Sequence, residues 1–584
     1  MLFVSFDFLL FIIPVLLIAW GLSQAAAART LFLIAASYFF YMAGPLTEPL
    51  PAPWYFVGLL ALSTVLDFVC SAQIHRETPR LAHPDARESE AARLRRNGWL
   101  TLSLLGNLGL LSYFKYTNFF LEAFGDIASA FGFEIMVPHL SLILPVGISF
   151  YTFQSLSYTI DVWRCRLTPE PSFRRFALFV VFFPQLVAGP IVRASEFLPQ
   201  LHRRPNLTAE RMREGMFRIA KGLVKKAILG DWIAASFTDA VFASPGTYSS
   251  LEVLLALYAF TLQLYADFSG YSDIAIGVAR LLGYEIPENF DRPHQARNVG
   301  EFWRRWHMTL STWLRDYLFF PLGGSRGSRA RTYFNLWLTM FLVGMWHGAS
   351  WNFIIYSNIQ ALAILFNRWN RTRGSEPDAH ALGGLVLGLL VFPAATYGLC
   401  AAVLGLSGET SLWMAVAAAV TFAIVMLLPK RGGWVNTGVH IFLTFHFTVL
   451  SRVFFRADDL DTSRQMIAKL TAFDGLGLRE GLLSPWLWAA LIGGMAYHFT
   501  PKAWVDEIDY TRSILGAVLL DANGETFEYK TKVLKDSVEV TSDLRFEVAA
   551  AADMPIHELY GKREGGLGSN EAEATRKWYD KIDV

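Results

Sequence analysis

The sequence predicts an all-α polytopic membrane protein of about 11–13 membrane segments, some of them re-entrant, ending in a small C-terminal tail that is β-rich or disordered. Three observations carry this expectation. Apolar residues make up 53% of the chain and charged residues 17%, with a mean hydropathy of +0.34, which is more apolar and less charged than a soluble domain. Apolar stretches recur along the chain as far as residue 499, several of them too short to cross alone. From Asp506 onward the character changes, with 17 acidic against 10 basic residues. We therefore divide the chain into a membrane domain, residues 1–500, and an acidic soluble tail, residues 501–584.

Residues 1–71 read as three helices, with Pro45, Pro49, Pro51 and Pro53 turning the chain between the second and third. The first apolar segment lacks a basic flank and a small-residue cleavage site, so it is expected to be retained. The charged run Glu88 to Arg93 reads as a solvated linker. Basic residues concentrate in 76–96, 193–226 and 292–331, which the positive-inside rule places in the cytoplasm. Three crossings before Arg76 then put the N-terminus outside. Cys70, Cys165 and Cys400 are too scattered for a disulfide framework or a zinc motif and read as small buried hydrophobes.

Polar residues interrupt the apolar pattern at three places. Between Leu144 and Asp161, hydroxyl side chains and Gln154 stud an otherwise apolar segment. Interhelical hydrogen bonding and the wall of a polar tunnel both fit it. Phe183 to Arg193 carries two prolines and a glycine and cannot be one unbroken helix. Asp267 and Asp273 lie in a run that would otherwise span, where a carboxylate costs about 2.5 to 3.5 kcal/mol and needs a partner. The downstream arginines and His307 are the candidates, which would make the aspartates orienting groups. Their separation does not place them squarely on one helical face, so they do not read as a catalytic pair.

The core of the chain is Glu301 to Gly348. On one continuous helix, Trp303, Trp306, His307, Leu310, Trp313 and Leu314 form a single stripe, with Arg304, Met308, Ser311 and Arg315 opposite. A second apolar run ends in Trp346, His347 and Gly348. Between them lies Pro321-Leu322-Gly323-Gly324, a break suited to a segment that enters a bilayer and turns back. Two imidazoles thus enter apolar surroundings, where an ionisable group usually faces a partner, a cavity or a reaction path. His294 reads as a loop residue, and His446 and His498 as structural.

Taken together, Ser149 to Gln154, Phe183 to Arg193, Tyr265 to Asp273, Pro287-Glu288-Asn289-Phe290, Phe302-Trp303-Arg304-Arg305-Trp306-His307, Met345-Trp346-His347-Gly348 and Phe454-Phe455-Arg456-Ala457 resemble the membrane-bound O-acyltransferase family. The resemblance is greatest to its bacterial alginate O-acetyltransferase branch. It runs over about residues 1–500, with core motifs in 144–360. It implies a central tunnel and transfer of an acyl group, most simply acetyl, from a cytoplasmic thioester donor to hydroxyls of an exported polysaccharide. The donor would be acetyl-CoA or a phosphopantetheine carrier protein, used as co-substrate with no bound cofactor. The partner would be a periplasmic or membrane-anchored acetyltransferase, and the location the bacterial inner membrane. His347 matches the family's essential histidine and His307 the second. We assign His347 as general base and His307 as the group that orients the donor or polarises the thioester. Trp303, Trp306 and Trp346 would exclude water, and Arg304, Arg305 and Arg315 would hold donor phosphates. Asp267, Asp273 and Gln154 complete the candidate tunnel and donor site. Tyr356-Ser357 and Gln360-Ala361 depart from the pattern, where relatives carry Trp-Gly and His-Gly, so no third histidine is assigned there. No metal site, phosphate loop, dinucleotide fingerprint or nucleic-acid partner is read in the chain. Two other activities fit less well: a D-alanyl transferase acting on teichoic acid, and a polysaccharide or lipid transporter using the histidines as proton relays.

Overall fold

The computed structural model describes residues 1–43, 55–78, 89–372, 393–427 and 434–500, apart from single positions within them. Residues up to Thr500 form one compact unit. The proline-rich turn at 45–53 and the tail, with its expected hairpin at Asn523-Gly524, lie outside the described residues.

Among the described residues there is no strand, only an isolated bridge between Phe290 and Trp306. The helices are α1 (Phe6–Gly21), α2 (Ala26–Met42), α3 (Tyr55–Glu77), α4 (Glu90–Ala130), α5 (Ile148–Trp163), α6 (Phe173–Val181), α7 (Phe183–Leu186), α8 (Ala194–Leu201), α9 (Ala209–Val224) and α10 (Asp239–Ala243). They continue with α11 (Ser250–Leu281), α12 (Val299–Arg305), α13 (Met308–Leu314), α14 (Arg329–His347), α15 (Trp351–Thr372), α16 (Gly408–Leu427), α17 (Trp434–Arg456), α18 (Leu460–Ala472) and α19 (Pro485–Phe499). Of the expected membrane segments, α3, α11 and α17 are long and apolar enough to cross a bilayer alone, and α1 and α2 are apolar but shorter.

Local chemistry explains where these helices begin and break. Helix α4 starts earlier than expected: Ser89 caps it by accepting from the Ala92 N–H at 3.2 Å, so Glu90 to Arg93 are its first turn and not a linker. Helix α11 opens with a capping box in which Ser249 and Glu252 satisfy each other's backbone N–H groups. The proline-broken piece after α6 is the short α7, as the two prolines and glycine require. Between α9 and α10 the chain winds as π-helix over Lys225–Trp232 and Ala234–Thr238, and again over Arg315–Phe319 after α13, a geometry frequent at functional sites. The turn around Gly323 and Gly324, both at positive φ, is held by Asn335, whose Nδ2 donates to the Leu322 and Gly324 carbonyls at 3.1 and 3.0 Å.

Helices α9 and α11 pack unusually closely. A Cβ on Gly215 would stand 2.9 Å from the Gly277 carbonyl oxygen, and one on Gly222 2.6 Å from that of Gly270. The reciprocal distances are 2.6 and 2.8 Å. Two glycines seven residues apart on each helix thus let the backbones touch along two turns. This contact carries the basic residues of α9 and the following π-helix against the carboxylates of α11. Part of the expected cytoplasmic loop 193–226 is therefore a helix packed on the membrane domain.

The polar face of α5 is spent on packing. Gln154 donates through Nε2 to the Phe179 carbonyl of α6, and Ser157 to the Gln154 carbonyl at 2.7 Å. Asp67 of α3, fully buried, accepts from Ser103 and Asn107 of α4. Of the two readings of this segment, interhelical hydrogen bonding describes Gln154 as it stands. On the same helix Phe150 is the side chain that stacks on His307, and Phe153 stacks on Trp346.

The link between α5 and α6 is clamped by Glu170. Its buried carboxylate accepts from the Ser172 N–H and Arg175 Nε, both at 2.9 Å, and pairs with His202 Nε2 at 2.7 Å. Burial pushes this carboxyl up, but Arg175, the Ser172 N–H and His202 together outweigh it and hold the group below the usual glutamate range. A lowered carboxyl contributes stability above its unfolded value, about 4.3, and loses it as pH falls through the folded one. The melting temperature of detergent-solubilised protein should therefore fall more steeply below about pH 4.3 in wild type than in Glu170→Gln. Parallel slopes would refute the clamp.

Cys70 and Cys400 are buried and free, but Cys165 is exposed in a left-handed turn, which corrects the expectation of three buried thiols.

Candidate functional site

The stretch from Trp303 to Leu314 is not one helix. It breaks between α12 and α13, where Trp306 is extended and His307 is left-handed at φ 44°. The break is held by a short antiparallel pairing with residues 289–291: Asp291 N–H donates to the Arg305 carbonyl at 3.0 Å, and Met308 N–H to the Asn289 carbonyl at 2.9 Å. A left-handed non-glycine residue stores strain that its surroundings must hold. The expected partition nevertheless survives: Trp303, Trp306, His307, Leu310, Trp313 and Leu314 are all buried, and Arg304 and Arg315 are exposed.

His307 is 1% exposed. Its Nδ1 lies 3.0 Å from Asn289 Oδ1, which also receives the Thr309 hydroxyl at 2.9 Å and the Thr309 N–H at 3.3 Å. Asn289 Oδ1 is thus the acceptor, Nδ1 bears the proton, and Nε2 carries the lone pair. Nε2 is buried with no hydrogen-bond partner. The indole N–H of Trp346 is also buried and unpaired, and the Trp346 ring lies 6.1 Å from that of His307. Unsatisfied buried polar atoms in a native structure require an explanation, and a substrate that supplies the missing partners is one.

His347 is the last residue of α14, half-buried, its ring 4.8 Å from Trp346 and 5.3 Å from Phe455. The last carbonyls of α14 lack intrahelical donors. Those of Met345 and Trp346 are satisfied from α4, by the Tyr116 hydroxyl at 3.0 Å and by the Lys115 ammonium. The following glycine is required, because a Cβ on Gly348 would lie 2.1 Å from the Phe353 ring. Just beyond it, a cavity of about 220 Å³ is lined by Phe119, Glu122, Asp126, Ala349, Trp351 and Asp459, among others.

Two aromatic stacks close the space. Phe153 lies 4.2 Å from Trp313 and 5.7 Å from Trp346, stacked on both, and Phe150 stacks on His307 at 6.2 Å. Trp303 donates through its indole to Gln360 Oε1 at 3.3 Å.

The aspartates find partners, but not the expected ones. Asp273 receives Arg218 Nε at 2.9 Å and Lys225 Nζ at 2.8 Å, and Asp267 receives Lys226. These cations come from α9 and the π-helix after it, upstream of the aspartates, and neither the downstream arginines nor His307 is involved. Arg218 also forks onto Glu288, the neighbour of Asn289. Asn289 Nδ2 in turn lies 3.4 Å from the Ser272 hydroxyl, beside Asp273. A connected set of polar groups therefore runs from α11 to His307.

Of the arginines proposed for donor phosphates, Arg305 pairs with Glu301 at 2.7 Å and Arg315 with Asp316 at 2.9 Å. His294, expected in a loop, sits in a short 3₁₀ turn but is 2% exposed, with rings of Tyr265, Phe302, Trp306 and His498 around it. Its backbone N–H donates to His498 Nε2 at 3.2 Å, which gives His498 a structural role. His446 is exposed. Arg452 is the site residue that motif reading missed. An arginine inside the apolar run 437–455 is the signal that marks it.

If Asn289 fixes the His307 tautomer, Asn289→Ala should lower acyl transfer about tenfold or more at unchanged abundance, the scale seen when an orienting partner is removed. Asn289→Asp, which keeps the acceptor, should recover part of it. Equal activity in all three proteins, assayed in membranes, would rule out this role.

Residues 164–373 match the model of MBOAT, the membrane-bound O-acyltransferase family, and residues 502–584 match that of the phage portal protein. The chain is 41% identical over 360 residues to a probable alginate O-acetylase AlgI of Azotobacter vinelandii, covering 61% of this chain and 66% of that protein, just under two thirds of its length. It is 31% identical over 503 residues to a peptidoglycan O-acetyltransferase of Helicobacter pylori, covering 81% of this chain and 80% of the relative. A teichoic acid D-alanyltransferase of Bacillus subtilis is 31% identical over 248 residues, or 40% of this chain and 62% of the relative. With the histidine motifs assembled at one site and similarity extending over most of a full-length relative, the chain belongs to the membrane-bound O-acyltransferase family.

Proposed function

We propose that the protein is a bacterial inner-membrane O-acyltransferase. It moves acetyl from a cytoplasmic thioester donor, acetyl-CoA or a phosphopantetheine carrier protein, through a central tunnel toward hydroxyls of an exported polysaccharide. The N-terminus lies outside and the basic segments 76–96, 193–226 and 292–331 face the cytoplasm, with a periplasmic or membrane-anchored transferase completing delivery. The names of the relatives support a polysaccharide acceptor, and the convergence of His307, Trp346 and His347 carries the chemistry.

In this reading His347, beside the cavity past Gly348, takes the proton from the attacking hydroxyl and returns it to the departing thiolate. Neutral His307 cannot polarise the thioester carbonyl, since its open nitrogen accepts and does not donate. It orients the donor by receiving a hydrogen bond, such as one from a pantetheine amide N–H. Trp303, Trp306 and Trp346 exclude water, which would otherwise hydrolyse the thioester. Arg304 and Arg315, exposed near the ends of α12 and α13, would meet donor phosphates in this reading, Arg315 by exchanging Asp316 for phosphate.

The test is the ester content of exported glycans in cells with and without the gene. Loss of O-acetyl from one glycan with its export intact supports the proposal and names the acceptor. Loss of D-alanyl ester would identify the carrier-dependent reaction on teichoic acid instead, and impaired export with unchanged esterification would identify a transporter.

A further inference from the structure

Arg452 of α17 is 2% exposed, and no carboxylate among the described residues pairs with it. Its Nη1 donates to the Tyr356 hydroxyl at 3.2 Å, while Nε is buried without a partner. The guanidinium otherwise rests on aromatic faces, 5.1 Å from the Trp306 ring centre and 5.0 Å from that of Phe455. Cation–π contacts and one hydroxyl replace little of the hydration that such a charge loses on burial. Every other arginine discussed above has a carboxylate, a carbonyl or water within reach. A buried cation kept without an anion is matched to an anion that arrives with the reaction.

We propose that Arg452 is the oxyanion-stabilising residue of the acyl transfer. The assignment rests on the acyltransferase reading. The Phe455 ring that Arg452 covers is the one 5.3 Å from the His347 ring, and the Trp306 ring it covers belongs to the residue preceding His307. Arg452 therefore stands between the two histidine segments. When the acceptor hydroxyl oxygen bonds to the thioester carbon, the carbonyl π pair moves onto oxygen and the hydroxyl proton passes to His347. Collapse re-forms the carbonyl, breaks the carbon–sulfur bond and sends the proton to the thiolate. The charge on that oxygen needs a donor, and His307 offers only a lone pair. Arg452 has a free Nε–H in a site walled by aromatics, where a preorganised charge acts strongly. Its aim is set by α15: Tyr356 holds Nη1, and Gln360 ties Ser451 at 3.0 Å while receiving the Trp303 indole at 3.3 Å. The two positions where this chain departs from the family pattern thus support the arginine.

The experiment uses inverted membrane vesicles containing the full chain, supplied with labelled acetyl-CoA and cytosol, with rates normalised to protein measured by blotting. Arg452→Met is expected to lower kcat about 10²- to 10³-fold with the half-saturating donor concentration unchanged, the loss typical of a removed oxyanion donor. Tyr356→Phe, which keeps the charge and frees its aim, is expected to lower kcat severalfold and carries the test if the first variant does not accumulate. A raised half-saturating concentration at unchanged kcat would make Arg452 a ground-state anion site and overturn the proposal, as would wild-type kcat in either variant. Wild-type vesicles that transfer no acyl group to glycan would overturn the acyltransferase reading itself.

Discussion

His347→Ala is expected to lower acyl transfer about 10²- to 10⁴-fold, the usual contribution of a general base, with membrane abundance close to wild type. The fold argument supports normal abundance. His347 is the terminal residue of α14, half-buried, and its side chain makes ring contacts with Trp346 and Phe455 but, among the described residues, holds no hydrogen bond that other elements depend on. The carbonyls at that helix end are satisfied from α4 through main-chain atoms of Met345 and Trp346, which the substitution leaves in place. Measuring acetyl on exported glycan beside a blot of the membrane fraction separates chemistry from folding. Wild-type acetylation in His347→Ala would remove this histidine from the mechanism and leave His307, whose Nε2 also carries a lone pair, as the base.

Much of this organisation was legible in the sequence, and the failures have identifiable physical causes. Periodicity placed Trp303, Trp306, His307 and Leu310 on one buried side correctly. It could not show that the helix breaks at Trp306, because the break is set by pairing with Asn289 and Asp291, residues outside the local window. The same non-local pairing decides the tautomer of His307. Asp267 and Asp273 were recognisable as carboxylates in need of cations, but their partners lie 41 to 55 residues upstream, brought in by the glycine contact between α9 and α11. Proximity along the chain pointed downstream instead. His294 shows the converse error: a residue in a turn is not thereby exposed when the turn packs against Tyr265 and Trp306. The acidic shift after Asp506 marked a tail of different character, and the family match of that segment is to a different family from the rest of the chain.

Asp273→Ala is expected to be the most destabilising single substitution in the membrane domain, costing about 3 to 5 kcal/mol, because it leaves two buried or half-buried cations without their counter-charge. Asp273 is 5% exposed and Lys225 9%, and Lys225 has no other carboxylate within bonding distance among the described residues. Arg218 is less affected, since Glu288 still holds its fork. The imbalance therefore falls mainly on Lys225. This distinction makes the prediction specific: Lys225→Met, added to Asp273→Ala, should recover a substantial part of the loss, because replacing a buried ion pair by apolar groups costs far less than breaking it. Thermal melts of the detergent-solubilised single and double variants measure both effects. If the double variant is as unstable as the single one, the cost does not arise from an uncompensated lysine. If Asp273→Ala melts like wild type, the network from α11 to Asn289 is not what holds these helices. Should stability recover in the double variant while acyl transfer stays low, the network's second role follows: Asp273 adjoins Ser272, Ser272 meets Asn289, and Asn289 sets His307. The carboxylate would then act on the reaction through the histidine's position, separably from its contribution to the fold.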